Sequence, residues 1–374
     1  MNSVQFRLLR IAWIGKVVFM SADRLRILSI NVWTGLDYQG VWRLGDCEGP
    51  EHRELRFQAL LRGVRELQPD VIGINEANPL PAYAHRLARE LEYDVYAHVA
   101  IGGIRLGSLG LPINLREGDA ILARRGLDLR PLGSYRLTGG PRSNLATFQL
   151  GDSTQILGAE ITHAGRIVGL YLTHWQSALH NADRERAHAW HRQGHFTDAA
   201  LKRALAAIDK ADAIRTRELQ RSWHFMNASG TKNRAMVLMG DFNATFADPQ
   251  LAELGTRLVP VLRSESEDAR HTWDPTHNTN HIRFYNWNAD GLLASGVADS
   301  YKMQAPDAKA EDSDAILKRL RIADAGRAAS IDHIFIDPES ADNVTKAGRA
   351  LDKVDSVTGI HASDHYGVYA DLQW

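Results

Sequence analysis

Cysteine is almost missing from this sequence. Cys47 stands alone among 374 residues, so no disulfide can form within the chain. That excludes the disulfide-stapled scaffolds but leaves secretion open, because a chain this long can bury a core that needs no staple. Long apolar runs are missing too: none approaches the roughly 20 residues of a membrane-spanning helix. Peripheral membrane contact stays open. Charge of one sign is not in surplus either, since 44 Lys and Arg face 45 Asp and Glu, for a formal net charge of -1. Proteins that live by neutralising many phosphates carry a basic excess, so the balance argues against a dedicated binder of long duplex DNA. There is no internal repeat, no low-complexity tract and no feature that marks an obligatory protein partner. What remains is an ordinary globular composition, 44% apolar and 24% charged.

The first residues are ambiguous. Arg7 and Arg10 precede an apolar stretch from Ile11 to Met20, as in a secretory leader, but Gly15 and Lys16 interrupt it and Ser21-Ala22 is a weak cleavage signal. We read residues 1–22 as an N-terminal extension, either a weak leader or sequence ahead of a start at Met20. Residues 23–374 read as one domain. The compartment is not determined by these features, with the cytoplasm slightly favoured over export.

Strand-like runs rich in Ile, Val and Leu occur at Leu25–Asn31, Val71–Asn75, Asp119–Ala123, Ala146–Leu150, Gln155–Ile161, Ile167–Thr173, Ala235–Gly240, Ile331–Ile336 and Tyr366–Leu372. Helical periodicity appears at Glu51–Glu66, at Ala82–Glu90 and from Asp183 to about Trp223. Strands alternating with helices predict an α/β layered sandwich. Two regions break the regularity. Ile101 to Leu115 is apolar but broken by four glycines, and reads as a surface loop or a lip that touches substrate or lipid. Gly255 to Gly326 is loop-rich and carries the cluster Thr272-Trp273-Asp274-Pro275 to His281.

The chemistry lies in polar islands at the ends of the strand-like runs. They are Ser29-Ile30-Asn31, Asn75-Glu76, Thr173-His174-Trp175, Gly240-Asp241-Phe242-Asn243, Ile331-Asp332-His333 and Ser363-Asp364-His365. Carboxylates, carboxamides and imidazoles without a cysteine suit a hard divalent cation beside a phosphate ester. Glu76, after the buried run Val71 to Ile74, is the natural metal carboxylate, and Asn31 adds an oxygen without adding charge. In Gly240-Asp241-Phe242-Asn243 the alternation puts Asp241 and Asn243 on one side and turns Phe242 into the core. That pair can orient a water and donate to a developing phosphoryl charge. His174 offers an imidazole to phosphate oxygens. Asp332 or Asp364 would fix the tautomer of His365, and the spacing does not say which. His188, His191 and His195 share a helical face, which reads as solvated, and Arg215, Arg217, Glu218 and Arg221 read as surface charges.

In order and spacing these islands resemble the endonuclease/exonuclease/phosphatase superfamily from about Leu25 to Leu372. Gly118 to Arg124 is similar to the family's strand between the Glu and the first His. The resemblance implies a four-layer α/β/β/α sandwich with two central mixed β-sheets and a metal-dependent phosphoesterase activity. Carried over by position, it implies Asn31, Glu76 and Asp364 around a Mg²⁺, with Mn²⁺ as the alternative ion. It also implies His174, Asp241, Asn243, Asp332, Asp364 and His365 as catalytic groups. The Cys-Asp-Arg signature of inositol-polyphosphate 5-phosphatases is absent, and the deoxyribonuclease I branch depends on disulfides. Thr272-Trp273-Asp274-Pro275 with Asn278 is similar to neutral sphingomyelinases, and Thr-Trp-Asp with Asn278 and Asn280 resembles tyrosyl-DNA phosphodiesterase 2. The expected reaction is in-line attack of water on a phosphodiester. A lipid headgroup is the slightly favoured substrate, nucleic-acid ends or adducts are the alternative, and a phosphate-binding scaffold is the non-enzymatic one.

Overall fold

The structure, a computed structural model, describes residues 24–36, 43–103, 113–138, 153–229, 235–262, 267–285, 320 and 326–374. The expected strand Ala146–Leu150, residues 1–22 and residues 104–112 of the glycine-broken loop lie outside the described residues. In chain order the elements are β1 (Arg24–Asn31), α1 (Pro50–Leu67), β2 (Val71–Ala77), α2 (Ala82–Leu91), β3 (Tyr93–Gly102), β4 (Arg116–Arg124), β5 (Arg130–Thr138), β6 (Thr154–His163) and β7 (Arg166–His174). There follow α3 (Ala182–Arg192), α4 (Asp198–Ser229), β8 (Ala235–Asp241), α5 (Pro249–Arg257), β9 (Val259–Pro260), α6 (Glu267–Arg270), β10 (Asp332–Ile336), β11 (Val344–Ala350) and β12 (Gly367–Gln373).

The strands form two six-stranded sheets, ordered β11-β12-β1-β2-β4-β3 and β5-β6-β7-β8-β10-β9. Both are mixed. Each contains one parallel pair, β1 with β2 and β7 with β8, and the other pairings are antiparallel. A parallel pair needs a crossover, supplied by α1 in the first sheet and by α3 and α4 in the second. The sheets face each other across Leu25, Ile27 and Val71 on one side and Leu170, Leu172, Val237 and Met239 on the other. Alternation sends Leu28 and Ile30 to the opposite face, where they meet Phe57, Leu60 and Val64 of α1. On the outer face of the second sheet, Leu219 and Met226 of α4 and Leu251 of α5 cover Tyr171 and Leu238. Helix, sheet, sheet, helix is the four-layer order that the resemblance implies, and it is the α/β layered sandwich the sequence pattern predicts.

Three differences from the sequence reading have physical causes. The helical run from Asp183 is two helices, because Gly194 takes a left-handed backbone (φ 76°) and ends the first. The Thr197 hydroxyl then accepts the Ala200 amide at 3.2 Å and starts the second. Arg215 and Glu218 are not surface charges but fully buried. Arg215 donates to the carbonyls of Leu179 (2.8 Å) and Ala178 (2.7 Å), and Glu218 accepts the Thr154 hydroxyl at 2.7 Å and the Gln176 amide at 3.1 Å. The strands β3, β5, β9 and β11 are additions, and all four are sheet edges.

Candidate active site

Both parallel pairs end at the same pole of the sandwich. In the first sheet Asn31 pairs with Asn75 in register, just before Glu76; in the second His174 pairs with Asp241. Asp332 opens β10 directly opposite Asp241. Ser363-Asp364-His365 leads into β12, which runs antiparallel to β1 and so starts where β1 ends. Six islands spread over the chain are thereby drawn together. Gly240 permits this locally: its φ of 137° suits glycine, and a Cβ there would sit 1.9 Å from the Thr173 carbonyl oxygen.

One amide bridges the two sheets. Asn31 Nδ2 donates to Glu76 Oε1 (2.9 Å) and to Asp241 Oδ2 (3.0 Å), while Asn31 Oδ1 accepts the Trp33 amide at 2.9 Å. Asn31 therefore turns its nitrogen, not its oxygen, toward the carboxylates. Asp241 is held further by the Asn243 amide on Oδ1 (2.8 Å), and its own amide donates to Asn75 Oδ1 at 3.0 Å. His174 Nε2 lies 3.7 Å from Glu76 Oε1 and 3.8 Å from Asp241 Oδ2. His365 Nε2 approaches the same Asp241 oxygen from the other side at 3.9 Å, and its Nδ1 donates to Asp332 Oδ2 at 2.8 Å. Asp332, rather than Asp364, orients His365. Asp364 accepts the Ser363 hydroxyl at 3.2 Å and lines the cleft. The Asn243 side chain donates to the Trp175 carbonyl at 2.9 Å, and Phe242 is buried against Trp175 and Phe335 as the alternation requires.

The electrostatics are strained in one direction. Burial pushes the Asp241 carboxyl up, and the charge of Asp332 adds to it. Burial and the charge of Glu76 push Asp364 up to about 7, against the pull of His365 and Arg56. Burial opposes a charge on His174, but Asp241, Glu76 and Asp119 outweigh it and raise the imidazole to about 9. His365 is likewise raised well above its ordinary value, because Asp332 overcomes its burial. Acids facing acids in a largely buried site are the donor chemistry that a hard divalent cation satisfies. The ligand atoms of Glu76, His174 and Asp241, and those of Asp241, Asp332 and His365, lie within 4.8 Å of one another. Among the described residues these are the two acid-imidazole triplets that tight, and neither includes the His188–His195 face, where His191 instead pairs with Asp198 at 2.7 Å. Asn31 and Asp364 stand outside both triplets and beside them.

The groups open into a cleft of about 620 Å³. Trp33 and Trp273 line it near the carboxylates, and Ala207, Lys210, Ala211 and Ile214 of α4 form its far wall. Several residues that the sequence analysis left without a role support the site. Asn75 is fully buried and also donates to Asp119 Oδ1 at 2.7 Å, with Gln155 on the other oxygen of that carboxylate at 2.7 Å. The Thr272 hydroxyl accepts the amides of Ile331 (3.1 Å) and Asp332 (3.0 Å). Asn278 and Asn280 donate to the Ser363 carbonyl at 2.9 and 2.8 Å, and the Trp273 ring meets that of His365 edge-on at 5.1 Å. The Thr272–His281 cluster thus props up both halves of the Asp332–His365 pair.

The model of the Endonuclease/Exonuclease/phosphatase family matches residues 28–365. No curated protein matches the sequence. Among solved structures, D. rerio TDP2 complexed with single strand DNA product is 18% identical with a TM-score of 0.52, covering 94% of this chain and 99% of that one. The endonuclease/exonuclease/phosphatase from Bacteroides vulgatus is 13% identical with a TM-score of 0.52, covering 94% and 98%. TDP2 from Caenorhabditis elegans, in its selenomethionine form, is 13% identical with a TM-score of 0.51, covering 94% and 74%. At these identities the likeness establishes the fold.

Proposed function

We propose that this chain, which belongs to the endonuclease/exonuclease/phosphatase family, is a metal-dependent phosphodiesterase that attacks phosphorus in line with an activated water. The observation that carries the reading is the meeting of Glu76, His174 and Asp241 with the Asp332–His365 pair across one Asp241 oxygen. Glu76 and Asp364 would hold the divalent ion, Mg²⁺ first, with Asn31 fixing Glu76 from behind. Bound there, the ion would neutralise phosphate oxygens and favour departure of the alkoxide.

In this reading Asp241 orients the water and takes its proton. Its two oxygens are held by the Asn31 side chain and the Asn243 amide, so the carboxylate has one orientation. His174, charged at neutral pH through its acidic neighbours, donates to a phosphate oxygen, and Asn243 lies beside it. His365 keeps its proton donor on Nδ1 for Asp332, which leaves Nε2 to face the reacting phosphate. No side chain need be esterified in this scheme.

For the substrate we place a single-stranded nucleic-acid end first. Trp273 lines the cleft beside His365 as an aromatic surface for a base, and a structural neighbour of similar fold holds a single-strand DNA product. The apolar α4 wall at Ala207, Ala211 and Ile214 favours a phospholipid of the sphingomyelin type as the second reading. A substrate panel decides between them: sphingomyelin vesicles, single- and double-stranded DNA, a tyrosyl-DNA adduct and bis(p-nitrophenyl) phosphate, each with Mg²⁺ and with EDTA. EDTA-sensitive cleavage of the DNA substrates is expected. Cleavage of sphingomyelin alone would reverse the order, and silence on every phosphoester would leave a binding scaffold.

A further inference from the structure

The level of the long helix α4 beside the strands is fixed by hydrogen bonds. The Tyr171 hydroxyl of β7 donates to the Met226 carbonyl at 3.3 Å, below the pole where the site lies. Glu218, earlier on the helix, accepts the Thr154 hydroxyl at the start of β6 (2.7 Å) and the Thr138 hydroxyl at the end of β5 (3.1 Å). It therefore stands level with the strand ends. Arg215 then holds the carbonyls of Ala178 and Leu179, in the segment that follows His174. Earlier residues of the helix rise past the pole. Lys210 precedes Glu218 by about 12 Å of helix axis, and there it lines the cleft with Ala207, Ala211 and Ile214.

Lys210 is exposed and, among the described residues, is the one lysine of the cleft lining. On a helix the residues three and four positions away are the ones that can pair with it. Here they are Ala206, Ala207, Ala213 and Ile214. The nearest acids in sequence, Asp209 and Asp212, are both held by Arg184 Nη2, at 2.7 and 2.8 Å. Among the described residues no carboxylate forms an ion pair with Lys210. A second group in the cleft also lacks a partner. Ser153 is 5% exposed and lines the cleft, and its hydroxyl is out of solvent with no hydrogen bond among the described residues. It lies just before β6, whose Gln155 pairs with His174. From Asp241 the cleft therefore runs over His174 to Ser153 and up to Lys210. An ammonium without a carboxylate and a buried hydroxyl without a partner, both away from the reacting phosphate, suit a second negative charge on the substrate.

We propose that Lys210 binds a second phosphate of the substrate strand, beyond the scissile one, and that the Ser153 hydroxyl donates to an oxygen of the strand between the two. The inference rests on the nucleic-acid reading of the cleft and deepens it, because it names what the cleft selects besides one phosphodiester. A strand with several phosphates satisfies that demand. Bis(p-nitrophenyl) phosphate and a dinucleoside monophosphate carry one phosphate each and leave Lys210 unused. A phosphocholine headgroup would set a cation against it.

The test compares the wild-type chain with Lys210→Gln, Lys210→Glu and Ser153→Ala. The substrates are a labelled single-stranded oligonucleotide, thymidylyl-thymidine and bis(p-nitrophenyl) phosphate. Melting curves accompany each variant, and glutamine and glutamate both suit an exposed helix position. We expect Lys210→Glu to raise KM for the oligonucleotide at least about tenfold, the size of one lost charged contact. Lys210→Gln should do less, and the slope of log(kcat/KM) against log[salt] should become shallower by about one. Ser153→Ala should lower kcat/KM on the oligonucleotide several-fold with no drop in melting temperature, since its hydroxyl has no partner among the described residues. The Lys210 variants should cleave the two single-phosphate substrates as the wild type does. An oligonucleotide KM and salt slope that do not move in the Lys210 variants would overturn the inference while leaving the nucleic-acid reading intact. Unchanged oligonucleotide cleavage by Ser153→Ala would overturn the Ser153 contact. Equal losses on all substrates would overturn the whole inference and make Lys210 a support of the cleft wall. A wild-type chain that cleaves the small diester or sphingomyelin but no oligonucleotide would sink the substrate reading and the inference with it.

Discussion

Two buried charge clusters sit on either side of the segment that follows β1, and they behave in opposite ways. On one side Glu48, 2% exposed, receives Arg56 Nε at 2.8 Å and His52 Nδ1 at 2.8 Å, with Arg53 Nε at 3.3 Å. Arg56 also reaches the carbonyls of Val32 (2.7 Å) and Trp33 (3.2 Å). Burial alone would raise the Glu48 carboxyl, but Arg56 and His52 overcome it and hold it down at about 2. On the other side Asp241 and Asp364 are buried to the same degree and are pushed up instead. The first cluster is closed, with a cation for its anion. The second brings Glu76, Asp241, Asp332 and Asp364 together around two imidazoles and invites a cation from outside. Burial of charge is common to both, so it cannot be what marks a site; the excess of carboxylates over positive partners is.

The contrast is broken most strongly at Asp241. Asp241→Ala should lower kcat/KM by roughly 10⁴-fold, the scale seen when a group that acts on the nucleophile is lost. Its melting temperature should equal or exceed that of the wild type, since a buried carboxylate in a repulsive setting is removed. A large drop in melting temperature with turnover retained would make Asp241 a structural turn residue. Glu48→Ala should do the reverse. It strands the buried Arg56 charge and should cost roughly 3–5 kcal/mol in urea unfolding, with turnover per folded molecule far less affected.

Acid titration sharpens the same comparison. Glu48 titrates at about 2 when folded against 4.5 for the free side chain. Its stabilisation is fully present above pH 4.5 and is lost as pH falls toward 2, an effect of roughly 3 kcal/mol. Wild-type stability should therefore fall more steeply across that window than that of Glu48→Gln. Asp364 has the opposite sign. Its carboxyl titrates at about 7 when folded against 3.8 when free, so the folded state loses stability as pH rises between those values. Asp364→Asn should flatten that loss, and a stability curve identical to the wild type's would contradict the assignment.

How far all this was legible in the sequence follows from the same physics. The central strands could be read because burial on both faces gives continuous Ile, Val and Leu runs that stop at a polar residue, and those stops are the site. The four strands that escape such a reading, β3, β5, β9 and β11, are the sheet edges. Runs such as Tyr93-Asp94-Val95-Tyr96 mix wet and dry positions and carry a weak signal. Arg215 and Glu218 look like helix surface because only tertiary partners, the Ala178 and Leu179 carbonyls and the Thr138 and Thr154 hydroxyls, give them a buried home. The partner of His365 was equally hidden. Asp364 is its sequence neighbour, but it is Asp332, 33 positions away, that sits opposite the ring nitrogen.

Cation binding is where the two clusters should finally part. A divalent ion that binds only the folded chain stabilises it by about 2.7 kcal/mol at a hundred times its Kd. Because the ligands must shed protons first, the gain should be larger at pH 8 than at pH 6, where Asp364 still holds its proton. Glu76→Gln removes one ligand of the open cluster and should shift the Mg²⁺ titration of the melting temperature to higher concentration. Glu48→Gln alters a more deeply buried carboxylate that already has its cation, so it should lower the starting stability and leave the Mg²⁺ midpoint where it was. Equal shifts in the two variants would mean that the ion responds to overall charge. A midpoint that moves in Glu76→Gln alone would locate it in the cleft, among the carboxylates that outnumber their positive partners.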